Sequence, residues 1–213
     1  MEIRLVAVDQ PPTLRHLDLR IGAGVTCVRG NAAQCASLVR LLALRSPPRA
    51  GRVLLAGQDV YALPPARRAD WRRRIGFAPA GWSLPETVAV GRGLAYLAAL
   101  WQVPGLRAVR RELETWGLTG LEGRRLGDLS PGERRRFVLA ASRVMNPEVW
   151  ILERPYDGVD RAAAATLDML VADAFFGRGP VRTLVMADDS ARAQRLPCHH
   201  RLALDGGAVA ELD

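Results

Sequence analysis

The chain has 213 residues, of which 49% are hydrophobic, so it is long and apolar enough to bury the core of one domain, which excludes a disordered chain. The formal net charge is +8 and all 30 basic residues are arginine; because they are scattered, we expect a solvated surface, including the run Arg134–Arg136, and no nucleic-acid partner. No apolar run approaches the roughly 18 residues of a membrane helix, and the N-terminal segment lacks the basic region and the apolar block of a signal peptide. The three cysteines are widely spaced, which argues against a disulfide framework or structural zinc.

Short β-type runs alternate along the chain with longer segments of helical periodicity. The predicted strands are 3–8, 25–29, 52–56, 75–78, 149–153 and 183–187. The predicted helices, in which apolar residues recur three or four apart, are 36–45, 86–102, 106–116, 131–145 and 161–176. Two short runs around Asp205-Gly206-Gly207 predict a C-terminal hairpin. Strands that alternate with helices predict a layered α/β fold.

Four segments carry patterns that bear on chemistry. They are GVTCVRGNAAQCASLVRLLAL, IGFAPA, LSPGERRRFVLAASRVMNPEVWILERPYDGVD and LVMADD, at 24–44, 75–80, 129–160 and 184–189. The first places a glycine between a strand and a helix. A phosphate-binding loop at such a place needs glycines that let the backbone wrap the phosphates, a lysine for their charge and a hydroxyl on Mg²⁺. Taken alone, this segment is equally consistent with an ordinary strand–turn–helix.

The order and spacing of the four segments resemble those of the ATP-binding cassettes of ABC transporters over nearly the whole chain. The third segment is decisive, since it resembles the signature motif, the helix after it, the Walker B strand and the D-loop at the family's usual distances. The resemblance implies one P-loop cassette, residues 1–213. Its parallel-sheet core lobe would span about 1–79 and 131–213, with an N-terminal antiparallel β portion, and its helical subdomain about 80–130.

The positions that hold a cassette's own nucleotide have lost their chemistry. Cys35 and Ala36 stand at the lysine and hydroxyl of the phosphate loop, and Gly30 and Ser37 are left for weak contacts. The replaced positions outside the loop correspond to the Q-loop Gln, the Walker B Asp, the catalytic Glu and the switch His, and they are Ala80, Glu153, Arg154 and Asp188. Because a guanidinium cannot accept a proton, we predict no hydrolysis at this chain's own site.

The signature segment keeps the residues that a cassette presents to its partner's nucleotide. Ser130 and Gly132 remain, with Glu133 in place of the usual Gln, and the D-loop Asp160 also survives. A capped helix start with an open backbone presents amides to a γ-phosphate. The alternative is a capping box, in which Ser130 and Glu133 bond to each other's backbone, and both interpretations can hold together.

Members of the family work as head-to-tail dimers in which each ATP lies between one subunit's phosphate loop and the other's signature. We therefore expect a heterodimer. An intact ABC ATPase subunit would bind ATP and Mg²⁺, and this chain would close that composite site. The resemblance, closest to exporter-type cassettes, also implies transmembrane permease subunits as partners, whose coupling helix the helical subdomain receives. It further implies a peripheral place at the cytoplasmic face of the cell membrane. Two alternatives stay open: a scaffold or regulatory cassette that binds no nucleotide, and an ATPase with unconventional contacts.

Overall fold

The computed structural model of the chain describes residues 1–81, 85–103 and 106–212. Its strands are β1 (Ile3–Gln10), β2 (Leu14–Ile21), β3 (Gly24–Arg29), β4 (Ala50–Leu55), β5 (Gln58–Asp59), β6 (Ile75–Ala78), β7 (Val149–Glu153), β8 (Thr183–Ala187), β9 (His200–Asp205) and β10 (Ala208–Leu212). Its α-helices are α1 (Ala32–Leu42), α2 (Pro65–Arg72), α3 (Val90–Leu100), α4 (Arg107–Thr115), α5 (Pro131–Arg143) and α6 (Arg161–Phe175). Two short 3-10 helices lie at Leu126–Asp128 and Ala193–Arg195.

Six strands form the central sheet, in the order β10-β9-β3-β8-β7-β6. Every neighbouring pair is parallel except β9 and β10, which form the predicted C-terminal hairpin. β7 and β8 are buried along their whole length, as is usual for parallel strands that are covered on both faces. Because parallel strands end at the same edge of a sheet, the segments that follow β3, β6, β7 and β8 meet there.

A second sheet is antiparallel and has the order β2-β1-β4-β5. Its buried side chains share one apolar cluster with α1 and with one face of the central sheet. β2 alternates buried and exposed residues from Leu17 to Ile21. His16, however, has a φ of 47°, and the pairing of β1 with β2 shifts register nearby. This irregularity interrupts the period of two, which is why the sequence pattern predicted β1 and missed β2.

The other face of the central sheet packs against α3, α4, α5 and α6, and their buried side chains form a second apolar cluster. Neighbouring strand residues divide between the clusters, as Ile151 and Leu152 do, because successive side chains of a strand point to opposite faces. Phe137 of α5 is fully buried in the second cluster, where burial of such a side chain contributes about 1.5 to 3 kcal/mol. Since α3 and α4 both contact α5, α5 joins them to the sheet.

All six predicted strands and all five predicted helices are present, and the α/β architecture with an antiparallel N-terminal part is confirmed. α2 was missed because none of its residues is buried, which leaves no apolar period to detect. α1 begins at Ala32, earlier than the predicted 36. Residues 82–84 and 104–105, which fall in the predicted helical subdomain, lie outside the described ranges.

Within the described ranges, no helix combines the length and apolar character needed to cross a bilayer. The same ranges contain no group of three His, Cys, Asp or Glu side chains placed to hold a metal ion.

Candidate functional site

Several residues singled out for nucleotide chemistry gather at the carboxyl-terminal edge of the central sheet. Gly30 follows β3, Ala80 lies just beyond β6, Glu153 ends β7 and Asp188 follows β8. Open α/β sheets bind ligands in the crevice outside this edge. Arg154 follows Glu153 at the same edge, and the remaining predicted residues lie in α1 and at the starts of α5 and α6.

The turn between β3 and α1 leaves little room for a loop around phosphates. Only Gly30 and Asn31 separate the strand from the helix. Asn31 caps α1: its Oδ1 accepts from the amide of Gln34 at 2.9 Å, and its carbonyl oxygen accepts from the amide of Cys35 at 3.0 Å. Gln34 and Cys35 align with a glycine and the lysine of a phosphate-binding loop. The backbone amides of both residues bond to Asn31.

Local sequence and packing explain why α1 starts so early. Residues 32–36 contain neither glycine nor proline, and three of the five are alanine, the strongest helix former. A Cβ on Gly30 would lie 2.8 Å from the Cβ of Leu204 in β9, so the approach of β9 by itself accounts for a glycine there. Ser37 lies in the second turn, where its Oγ accepts from Thr13 Oγ1 at 2.7 Å. Ala36 beside it is half-buried.

Carboxylates crowd the space beside the start of α1. Glu153 and Asp188 are each only 6% exposed. The pKa of the Cys35 thiol is raised to about 11, first by burial and then by Asp189, Glu153 and Asp188. One oxygen of Asp188 accepts from the amide of Ser190 at 2.8 Å, whereas Oδ2 is buried with no hydrogen-bond partner among the described residues. A neutral thiol in a negative field thus stands where a phosphate loop has its lysine.

Glu153 and Arg154 both make contacts within the protein. The carboxylate of Glu153 accepts from the amide of Ala80 at 3.1 Å. Arg154 has a φ of 46°, which is uncommon for a residue other than glycine, and its amide donates to the carbonyl of Ala187 at 2.8 Å. Its guanidinium pairs with Asp157 at 2.5 Å, with both side chains about half exposed. Such a pair contributes at most about 1 kcal/mol.

The start of α5 is a complete capping box. Ser130 Oγ accepts from the amide of Glu133 at 3.2 Å, and Glu133 Oε2 accepts from the amide of Ser130 at 2.7 Å. Because these bonds to Ser130 favour the charged carboxylate, the pKa of Glu133 is lowered. Arg124 lies 3.4 Å from Glu133 Oε1 and offsets part of its charge. The alternative interpretation of this segment as a capping box is therefore confirmed.

The starts of α5 and α6 lie side by side. Asp160 caps α6 through a bond from the amide of Ala163 at 2.8 Å, and its Oδ2 is 3.7 Å from Arg136 of α5. A Cβ on Gly132 would come within 3.1 Å of the carbonyl oxygen of Gly158, so a glycine lets the two turns approach. The segments before both helices border an open cleft of about 500 Å³. The structure thus brings the predicted signature and D-loop residues into one region.

Arg135 corrects an expectation of the sequence analysis, which placed the whole run Arg134–Arg136 on the solvated surface. Arg135 is only 6% exposed. Its guanidinium donates to four backbone carbonyls, those of Pro79, Glu153, Arg154 and Pro155. A run of three charges hides this because neighbouring helical positions point in different directions. The burial of Arg135 could have been predicted from helical spacing, because positions 135, 138, 139 and 142 lie on one face of α5 and this face is buried.

The chain resembles known proteins in both sequence and fold. A family model described as "ABC transporter" matches residues 16–157. The cytochrome c biogenesis ATP-binding export protein CcmA of Pseudomonas syringae pv. tomato is 37% identical over 162 residues, which cover 74% of this chain and 73% of that protein. The nickel import ATP-binding protein NikO of Rhodobacter capsulatus is 30% identical over 211 residues, covering 93% of this chain and 82% of NikO.

Solved structures share the fold at much lower sequence identity. The dimeric structure of a bacterial ABC transporter cassette superposes with a TM-score of 0.86 at 16% identity, covering 99% of this chain and 98% of that one. The same cassette in a post-hydrolysis state bound to ADP and Pi gives a TM-score of 0.85 at 15% identity, with the same coverage. The α/β cassette fold of the present chain follows from these superpositions.

Proposed function

Since the chain belongs to the ABC transporter family of ATP-binding cassettes, we propose that it is a catalytically degenerate ATP-binding subunit of a membrane transporter. One observation carries the proposal. The segment that would wrap phosphates is the first turn of α1, and the amides of Gln34 and Cys35 bond to the Asn31 cap. Because phosphoryl transfer depends almost entirely on positioning and charge stabilisation, this geometry leaves the chain's own site without the means to hydrolyse ATP.

Electrostatics at the same place supports the proposal. Glu153, Asp188 and Asp189 all raise the pKa of Cys35, so they act on the space where a lysine would meet the phosphates. A unit negative charge about 4 Å from a carboxylate is opposed by about 4 kcal/mol at an effective dielectric constant of 20. Arg154 cannot take the proton of an attacking water, and its guanidinium is bonded to Asp157.

The start of α5 supports a role at a composite site with an intact ABC ATPase subunit. A hydroxyl can accept and donate at once, so the bond from the amide of Glu133 leaves the Ser130 proton for a phosphate oxygen. Gly132 keeps the backbone open, and the helix dipole favours an anion at this end. Asp160 borders the same region. We propose that the partner binds ATP and Mg²⁺, and that this chain closes that site in a heterodimer.

The helices between the two halves of the chain supply a surface for permease subunits. We propose one cassette with core segments at about 1–79 and 131–213 and a helical part at about 80–130. A cleft of about 330 Å³ between α3 and the core includes Phe77, Leu97 and Trp101. Tyr96 and Leu100 of α3 are 67% and 56% exposed, which is typical of an interaction site. Docking of permeases here would hold the subunit at the cytoplasmic face of the membrane.

A scaffold that binds no nucleotide is the second candidate. The complete capping box favours it, because the bonds between Ser130 and Glu133 explain both residues without any ligand.

Purification of the chain alone, and with the partner that it captures in its native host, tests the proposal. We expect Mg-ATPase at the protein-free background for the chain alone and clear turnover for the complex. In the complex, Ser130→Arg fills the space in front of α5 and is expected to lower turnover at least about tenfold, as loss of an oxyanion contact does. Ala208→Arg in β10, at the far edge of the sheet from β6, is the matched control.

Two outcomes count against the proposal in different ways. Appreciable hydrolysis by the isolated chain would show an ATPase with unconventional contacts. An unchanged rate in the Ser130→Arg complex would favour the scaffold.

A further inference from the structure

Arg135 joins three parts of the molecule that sequence places far apart. It lies in the second turn of α5, about 7.5 Å along the axis from Ser130 at the usual helical rise. Its Nη1 donates to the carbonyl of Pro79, just beyond β6. Its Nη2 donates to the carbonyls of Glu153 and Arg154 at 2.7 and 2.9 Å. Nε donates to the carbonyl of Pro155 at 3.4 Å.

The guanidinium is bound through carbonyl dipoles and makes no ion pair among the described residues. Burial, the largest influence, lowers its pKa to about 10, while Asp157, Glu153 and Asp188 favour the charged form and Arg154 opposes it. Arg135 therefore remains a cation at neutral pH. A planar fork of five donors can bond several carbonyls at once, and a lysine at the same place would offer three.

The ends of β6 and β7 are joined a second time by the bond from the amide of Ala80 to the carboxylate of Glu153. The hydrogen bonds of Arg135 connect α5 to these two strand ends. Removal of the Arg135 guanidinium would take one hydrogen bond from each of four carbonyls, and the bonds to the carbonyls of Glu153 and Pro155 are buried. Unsatisfied buried polar groups are costly, so the three segments would separate or admit water.

We propose that Arg135 is a positioning residue that fixes the signature turn of α5 to the ends of β6 and β7 without help from a nucleotide at this chain's own site. The inference rests on the proposed function, because the turn is held ready for a nucleotide on the partner. Because α5 is one continuous helix capped by Ser130, the bonds that fix Arg135 also fix the positions of Ser130 and Gly132. Preorganised donors cost less to order when the ligand arrives, so the anchor acts on nucleotide affinity at the composite site.

Hydrogen exchange on the isolated chain tests the anchor directly. In Arg135→Met we expect the amides of Ala80, Arg154 and Asp157, which are hydrogen-bonded in the wild type, to exchange together and at least about tenfold faster, as expected for local opening of one cooperative unit. Arg134→Met is the matched control, because the Arg134 side chain is exposed and, among the described residues, donates one hydrogen bond, to the carbonyl of Gly127 at 3.3 Å. If Arg135→Met does not fold, Arg135→Lys replaces it with a smaller expected increase. Wild-type exchange of these amides in a folded variant would overturn the proposal.

Steady-state kinetics of the purified complex separates positioning from general stability. At a temperature where every variant is folded, we expect Arg135→Met to raise the KM for ATP at least about fivefold, with kcat changed much less, since the loss falls on binding. Arg135→Lys should recover part of the affinity, and Arg134→Met should match the wild type. An unchanged KM in Arg135→Met would overturn the proposal, since a stabilising role alone predicts that result.

Ser130→Arg in the same series distinguishes the two proposals. If Ser130→Arg lowers turnover while Arg135→Met leaves KM unchanged, the positioning role falls and the composite site stands. If Ser130→Arg has no effect, the composite site falls, and the exchange experiment still decides for or against the anchor in the isolated chain.

Discussion

The starts of α1 and α5 are two helix N-termini in one cassette, and they have opposite surroundings. Both are capped by a side chain, Asn31 in α1 and Ser130 in α5. Cys35 at the start of α1 is buried among carboxylates that raise its pKa. Ser130 is exposed, and Arg124 offsets the charge of the nearby Glu133. A helix N-terminus favours anions; near Cys35 buried carboxylates oppose one, whereas near Ser130 an arginine offsets the carboxylate of Glu133.

The two helix starts differ in their local chemistry although they belong to one cassette fold. Because α1 extends back to Ala32, only Gly30 and Asn31 separate it from β3. Cys35 in the first turn of α1 also belongs to the apolar cluster that covers one face of the central sheet. Under the proposed function, this contrast corresponds to the division between what a cassette gives to its own nucleotide and what it gives to its partner's.

The largest expected effect is on the alkylation rate of Cys35, the buried thiol at the start of α1. With its pKa raised to about 11, Cys35 has few thiolates at pH 8, and we expect it to react with iodoacetamide about a hundredfold more slowly in the native than in the unfolded chain. Peptide mass spectrometry measures the rate for each cysteine. Asp189→Asn should accelerate Cys35 modestly, and Asp128→Asn in the 3-10 helix before α5 should not. Equal alkylation rates of Cys35 in the native and the unfolded chain would contradict its burial at the start of α1.

Alanine in place of a glycine at each helix start sharpens the contrast in packing. Gly30→Ala places a Cβ 2.8 Å from the Cβ of Leu204, so β9 must shift, and we expect a loss of about 1 to 3 kcal/mol in the free energy of unfolding. Gly132→Ala meets only the carbonyl of Gly158 at 3.1 Å and gains up to about 1 kcal/mol of helix propensity. Its net effect should stay within about 1 kcal/mol. Urea titrations of both variants measure this, and a larger loss for Gly132→Ala would reverse the comparison.

The pH dependence of the capping box should give the smallest effect. The pKa of Glu133 is lowered in the folded chain, so its carboxylate contributes stability that is present above the ordinary pKa of about 4.3 and lost as pH falls through the lower, folded value. We expect Glu133→Gln to cost about 0.5 kcal/mol at neutral pH, and the difference from wild type should shrink below about pH 4. Denaturant unfolding from pH 3 to 7 measures it, with Glu122→Gln as an exposed control. A difference that grows towards acid pH would contradict the assignment.

Several parts of the site could be predicted from the sequence because local patterns determine them. The motif spacing placed Glu153 at the end of one predicted strand and Asp188 just after another, and the pair Ser130 and Glu133 predicted the capping box that the structure contains. Arg135 could not be found by reading charge runs. Only its place on the buried face of α5 reveals it, and its partners come from residues 79 and 153–155, which are distant in sequence.

Residue type, period and short-range bonding are enough to predict the α/β order of strands and helices, the capping of α5 and which residues stand at the nucleotide positions of a cassette. Three features emerge only in the folded chain: the early start of α1, the close approach of β9 to Gly30 and the burial of Arg135. Each of these depends on long-range packing, in which strands brought together by the sheet set the space and the charge around a side chain.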